Sequence, residues 1–97
     1  MTGKQRAKLR GMVNAVEPIL HIGKEGITEN ILAHASDALE ARELVKGTVL
    51  KNCDLTARQA LDILTKELGA EPVQAIGRKF SLYRRSEKNR SSRFKRQ

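Results

Sequence analysis

Ile19-Leu20-His21-Ile22-Gly23-Lys24-Glu25-Gly26-Ile27-Thr28 is the stretch on which the reading of this chain turns. Ile19, Leu20 and Ile22 make a short apolar strand, residues 23–26 a loop, and Thr28 the cap of a helix. Neither glycine carries a Cβ, so the pair lets the backbone turn sharply and come close to another molecule. The helix start just beyond brings unpaired N–H groups and partial positive charge, a setting that suits a phosphate. A Gly-x-x-Gly alone is weak evidence, since glycine pairs of this spacing are common in loops and more often form an ordinary unliganded strand-to-helix turn. The rest of the chain has to separate the two.

Toward the N-terminus, Thr2 caps an expected helix over residues 3–16, with Leu9, Met12, Val13 and Val16 on one face at i, i+3, i+4 and i+7. Lys4 and Lys8 flank that face on one side, Arg6 and Arg10 on the other. Pro18 ends the helix and leads into the strand. Toward the C-terminus, Thr28 opens a helix running to Arg42, with Glu29 in its first turn and Ile31, Leu32, Ala35, Ala38 and Leu39 as its apolar side. Residues 43–50 are rich in β-branched side chains and predict a second strand. Gly47 in its middle weakens that strand or marks a bulge or a close backbone approach.

Thr56 with Gln59 three residues on is a capping box. The helix it opens has Ala60, Leu61, Leu64 and Leu68 on one face and stops at Gly69. After Pro72, Val73-Gln-Ala-Ile76 and Phe80-Ser-Leu-Tyr83 read as two strands of a hairpin whose tip, Gly77-Arg78-Lys79, is basic. The α-β-α-β-α-β-β order predicts an α/β fold, a small two-layer sandwich with a four-stranded mixed sheet whose last two strands are antiparallel. Residues 1–85 form one domain in this reading. Residues 86–97, dominated by Ser, Asn, Lys and Arg, form a disordered basic tail.

The net charge of +8 is unevenly placed. Residues 1–10 hold four basic groups and no acid, and residues 84–97 hold seven and one, Glu87. The segment between has eight basic and ten acidic residues. Basic ends around a near-neutral body suit a polyanion, of which nucleic acid is the commonest. A membrane surface would want large apolar anchors beside the charges, and the tail offers only Phe94. No apolar run approaches the ~20 residues of a bilayer span. Cys53 stands alone, so no internal disulfide forms, and a cytoplasmic location is expected.

No catalytic set assembles from these residues. His21 alternates with the apolar strand positions, His34 falls inside a helix, and neither is close to Cys53 in sequence, so zinc spacing is absent. The glycine loop is too short for a Walker motif and lacks its Gly-Lys-Ser/Thr ending. Strands separate each pair of helices, against a helix-turn-helix. The scarcity of aromatics, three in all, argues against a stacking sheet of RRM type. Clamping of single-stranded RNA by a GxxG backbone loop, as in KH modules, fits better. The expectation is a monomeric, non-enzymatic protein without cofactor, metal or small-molecule substrate.

In order and spacing the chain resembles the chloroplast splicing and ribosome maturation (CRM) domain in its stand-alone, YhbY-like bacterial form. The likeness spans residues 2–85. It rests on the basic first helix with Leu9, on Pro18, on Gly23-Lys24-Glu25-Gly26-Ile27-Thr28, on Ala38-Leu39-Glu40 running into Glu43-Leu44-Val45-Lys46, on Val73-Gln74-Ala75-Ile76-Gly77, and on Leu82-Tyr83-Arg84. The resemblance implies a fold similar to the C-terminal domain of bacterial translation initiation factor three. It also implies a GxxG loop on RNA, and association with precursors of the large ribosomal subunit. The expected RNA contacts are Gly23, Lys24, Gly26 and Thr28 in the loop, Lys4, Lys8 and Arg10 on the first helix, Arg78 and Lys79 at the hairpin tip, and Arg84 and Arg85 after the last strand. Glu25 should point away from RNA. Two other readings stay open: a KH-like regulator of messenger or small RNA, and a basic module docking on an acidic protein.

Overall fold

The computed structural model describes residues 2–13 and 15–86. Its elements are α1 (Gly3–Val13), β1 (Leu20–Ile22), α2 (Glu29–Arg42), β2 (Leu44–Val49), α3 (Ala57–Leu68), β3 (Glu71–Ile76) and β4 (Lys79–Tyr83). The strands form one sheet in the order β1-β2-β4-β3, with β1 parallel to β2 and both other pairings antiparallel. This is the expected α/β order with a four-stranded mixed sheet.

Helix starts follow the expected chemistry. Thr2 and Gln5 exchange side-chain and backbone bonds of 3.1 Å, so α1 also opens on a capping box. Thr28 Oγ1 accepts from the Ile31 N–H at 3.2 Å, and Thr56 with Gln59 closes the box at α3. The first helix is shorter than its periodicity suggests. Beyond Val13 the Ala15 and Val16 N–H groups reach back only three residues, to the Met12 and Val13 carbonyls, as the chain tightens ahead of Pro18. Met12, within the helix, does not join the apolar contact and is 49% exposed.

The two-layer expectation needs correcting. Side chains alternate across a strand, and here both faces of the sheet are used. Leu20, Ile22, Val45, Val49, Phe80 and Leu82 point to α2 and α3, where they meet Ala35, Leu39, Ala60, Leu61 and Leu64 in the main core. Leu44, Val73 and Tyr83 point the other way and meet Leu9, Val13 and Val16. Helix α1 therefore makes a third layer, over one end of the opposite face. Its narrow apolar stripe suits that smaller contact.

Strand β3 begins at Glu71 and includes Pro72, tolerated because β3 is an edge strand. A register shift between Pro72 and Gln74 marks a bulge around Val73. Of the alternatives open at Gly47, a weakened strand, a bulge or a close approach, the structure shows the close approach. Gly47 pairs in register with Phe80, whose ring occupies the space a side chain would need.

The C-terminal end of α2 is bolted to the segment after β4. Glu43 adopts φ 68°, rare for a residue with a Cβ, and is held by three bonds. Its N–H donates to Leu39 O at 2.8 Å, its carbonyl accepts from Arg84 N at 3.0 Å, and its carboxylate accepts from Ser86 N at 2.8 Å. Ser86 Oγ also donates to Glu40 O at 2.8 Å, and Ser86 is 2% exposed. Ser86 thus belongs to the folded body. Residues 87–97, the rest of the expected tail, lie outside the described residues.

Arg84 has a structural post at the same corner. Its guanidinium donates to Leu68 O at 2.9 Å, to Ser36 O at 3.2 Å and to Glu40 Oε1 at 3.1 Å, with only 18% of the side chain exposed. Those bonds join the ends of α2 and α3 to β4 through a planar fork that an ammonium cannot copy. Arg84→Ala should cost ~2–3 kcal/mol, since two partly buried carbonyls and a partly buried carboxylate lose a charged partner. Arg84→Lys should recover less than half of that. Thermal melts should show drops of ~10 °C or more for the alanine variant in a domain of this size. A melt unchanged by Arg84→Ala would rule out this clamp.

Candidate nucleic-acid interface

Parallel pairing puts the C-terminal ends of β1 and β2 on one edge of the sheet, so the loops leaving them are neighbours. Leu50 N–H bonds to Ile22 O at 2.8 Å, tying residues 50–56 to the glycine loop. Strand β4 is antiparallel to β2 and begins at that edge, where Val49 N–H bonds to Arg78 O at 2.7 Å. The glycine loop, residues 50–56 and the hairpin tip therefore line one margin. Helices α2 and α3 both start there, their first N–H groups lacking intrahelical partners. In open α/β sheets, ligands favour the carboxyl ends of the parallel strands.

Within the loop, Gly26 N–H bonds to Gly23 O at 3.0 Å, which leaves Lys24 and Glu25 at the apex, both exposed. Gly26 sits at φ 71°, where a Cβ is strained. Gly23 has no such constraint. A Cβ there would meet Leu50 Cδ1 at 3.7 Å and Asn52 Oδ1 at 3.8 Å, ordinary contacts. A shallow cavity of about 250 Å³ lies against the loop, lined by His21, Gly23, Lys24, Gly26, Thr28 and Ile31 together with Glu25. The Thr28 oxygen is engaged in capping α2. Thr28 thus holds the helix start in place behind the loop.

The structure gathers Gly23, Lys24, Gly26, Thr28, Arg78 and Lys79 on this margin. It does not bring the remaining expected contacts there. Arg84 and Arg85 follow Tyr83, which pairs with Leu44 at the far end of β2, about 17 Å of strand from Val49. Gln5 and Leu9 line a cavity of about 890 Å³ with Tyr83, Arg84 and Arg85, so the half of α1 carrying Lys4 and Lys8 lies over that far end. Lys4, Lys8 and Arg10 are all exposed. Arg84 is held by Leu68, Ser36 and Glu40.

Lys51 has nothing in the sequence to mark it as a contact, yet it is exposed in the loop beside Gly23. Parallel pairing of β1 with β2 is the signal that places it there. His34, read from the sequence as a position inside a helix, lies with Nε2 3.3 Å from Ile19 O. Among the described residues no cluster of three or more His, Cys, Asp or Glu could hold a metal, and no helix is long and apolar enough to cross a membrane.

Comparison with known proteins points in one direction. The family model for the CRS1/YhbY (CRM) domain matches residues 1–84. YqeI of Bacillus subtilis, named as a probable RNA-binding protein, is 38% identical over 90 residues, covering 93% of this chain and 94% of its own. A Haemophilus influenzae protein also named for RNA binding is 33% identical over 87 residues, 90% of this chain and 88% of that one. Among solved structures, a Staphylococcus aureus protein described as a candidate RNA binder superposes with a TM-score of 0.76 at 39% identity, over 92% of this chain and 93% of that one.

Proposed function

The chain belongs to the CRS1/YhbY (CRM) domain family, and from that premise we propose that it binds RNA through the glycine-loop margin and assists assembly of the large ribosomal subunit. One observation carries the reading. The glycine loop, Lys51, and Arg78 with Lys79 come from three separate parts of the chain and meet where two helices begin. The loop and helix starts offer N–H groups to a phosphate, and the lysines and arginine add charge around them. Contacts of this kind position a backbone without reading bases, so selectivity would come from RNA shape and single-stranded segments. No step in this role calls for bond-making chemistry. In this reading the protein works as a cytoplasmic monomer. The helix order and mixed sheet support the kinship of fold with the C-terminal domain of bacterial translation initiation factor three.

Density-gradient sedimentation of cell extract tests the proposal. The protein should travel with precursors of the large subunit rather than with translating ribosomes, and nuclease treatment should release it. Association that survives nuclease would point instead to an acidic protein partner. Crosslinked RNA dominated by messenger or small RNA would favour the KH-like regulatory reading.

A further inference from the structure

Beyond the loop margin, part of the sheet face that carries α1 is left open, and its charge is one-sided. The strand registers place His21, Thr48, Lys79 and Ile76 in one row across all four strands, immediately inside the margin. The next row on this face is Lys46, Ser81 and Gln74. Helix α1 covers Leu44, Val73 and Tyr83 farther back, and its Val13 borders a cavity of about 220 Å³ with Lys46, Gln74, Ile76 and Lys79. His21 and Lys79 are exposed, Thr48, Lys46 and Gln74 half-buried, and Ser81, between Lys46 and Gln74, is buried, so the second row is reached through the lysine and glutamine side chains. These two rows hold two lysines and a histidine and no acid. The main core lies behind them, on the other face.

Outside the part that α1 covers, the charged side chains of the two rows are all basic, and the rows join the glycine-loop margin without a break, since Lys79 belongs to both. We infer that single-stranded RNA held at the loop continues across this face, along the His21–Thr48–Lys79 row and over Lys46. The inference rests on the proposed RNA binding and extends its footprint. Strand spacing sets the row at about 10 Å from β1 to β4, and the second row lies roughly 7 Å deeper. Lys46 and Lys79 would meet successive phosphates, while Thr48 and Gln74 offer hydrogen bonds to 2′-hydroxyls. Ile76, 64% exposed at the end of the row, gives a sugar or base an apolar surface. Because these contacts go to phosphate and sugar rather than to base edges, binding there would tolerate any base.

Fluorescence anisotropy with a twelve-nucleotide oligouridine and the full chain tests this. Lys46→Gln should weaken binding roughly fivefold at 0.1 M salt and lower the log–log salt slope by about 0.7, the loss of one single-strand phosphate contact. Because Lys46 is half-buried, a second measurement stands apart from its packing. A photo-crosslinking residue at exposed His21 should attach to the oligonucleotide, and the same group at exposed Glu67 on α3 should not. An unchanged affinity and slope for Lys46→Gln, in a protein where Lys24→Gln does weaken binding, overturns the sheet track alone. Equal crosslinking at His21 and Glu67 overturns it as well. Failure of the unmodified chain to bind the oligonucleotide overturns the loop reading, and this inference with it.

Discussion

Gly47→Val should leave a chain that does not hold its native fold at 37 °C. Gly47 lies directly opposite Phe80 in the central strand pair, with its other neighbour, Leu20, fully buried. A Cβ on Gly47 would fall 2.8 Å from Phe80 Cε1 and 2.9 Å from Cε2, with Cζ nearer still. Such separations are inside van der Waals contact, and the ring has nowhere to go, because Phe80 is 1% exposed within the main core. Overpacking of a core commonly costs about 1–3 kcal/mol and occasionally more. Gly47→Ala should therefore cost ~2–3 kcal/mol, and the two further carbons of valine more than that. Domains of this length hold roughly 5–15 kcal/mol in total, so valine removes a large share. Urea unfolding followed by circular dichroism measures both.

A double substitution isolates the clash with the ring from the general loss of strand packing. Phe80→Leu alone opens a cavity and destabilises. In the Gly47→Ala background the added methyl partly fills that space, so the combined loss should fall short of the sum by ~1 kcal/mol or more. Strict additivity, or a Gly47→Val variant within about 0.5 kcal/mol of the original, would show that the ring does not set the cost.

Gly47 also marks a limit on what can be read from one strand at a time. Its position in a β-branched run signals a bulge, a weak strand or a close approach. Only the pairing of β2 with β4 identifies the approaching group as Phe80, and the bulge falls at Val73 on a different strand. Local chemistry is legible where the partner is local. The Thr28 and Thr56 caps and the Thr56/Gln59 box depend on residues at most three apart, and all are visible in the sequence. Layering is not, because Leu44 and Val45 look alike in sequence and only the sheet's orientation sends one toward α1 and the other toward α2 and α3. The same holds for function. Arg84 in a basic run reads as a phosphate ligand until Leu68, Ser36 and Glu40 are found around it, 16 to 48 residues away. Lys46 and Lys51 sit next to an apolar run and are unremarkable until strand order places them.

Gly26→Asp should keep the fold and lose most of the RNA affinity. Two costs have to be kept apart. The first is backbone: φ of 71° is strained for any residue with a Cβ, at roughly 1–2 kcal/mol, and Asp and Asn bear it better than others. The space itself is free, since the nearest atom to an added Cβ is Leu55 Cδ1 at 3.8 Å. Gly26→Asn carries the same backbone cost with no charge, so both variants should melt together, ~5–10 °C below the original. The second cost is electrostatic. A carboxylate facing a phosphate a few ångströms away loses about 1–2 kcal/mol at the high effective dielectric of a surface loop, roughly a tenfold difference in binding between Asp and Asn. Gly23→Ala supplies the complementary case. With no positive φ and only ordinary contacts around its Cβ, it should leave stability within ~0.5 kcal/mol and weaken binding only if RNA touches the backbone there. Glu25→Gln tests the remaining charge of the loop: Glu25 lines the cavity beside Lys24, so unchanged affinity places its carboxylate away from phosphate and a rise in affinity places it close by. Unchanged binding in folded Gly26→Asp and Gly23→Ala would take the loop out of the interface, leaving Arg78, Lys79 and the open sheet face to account for RNA binding.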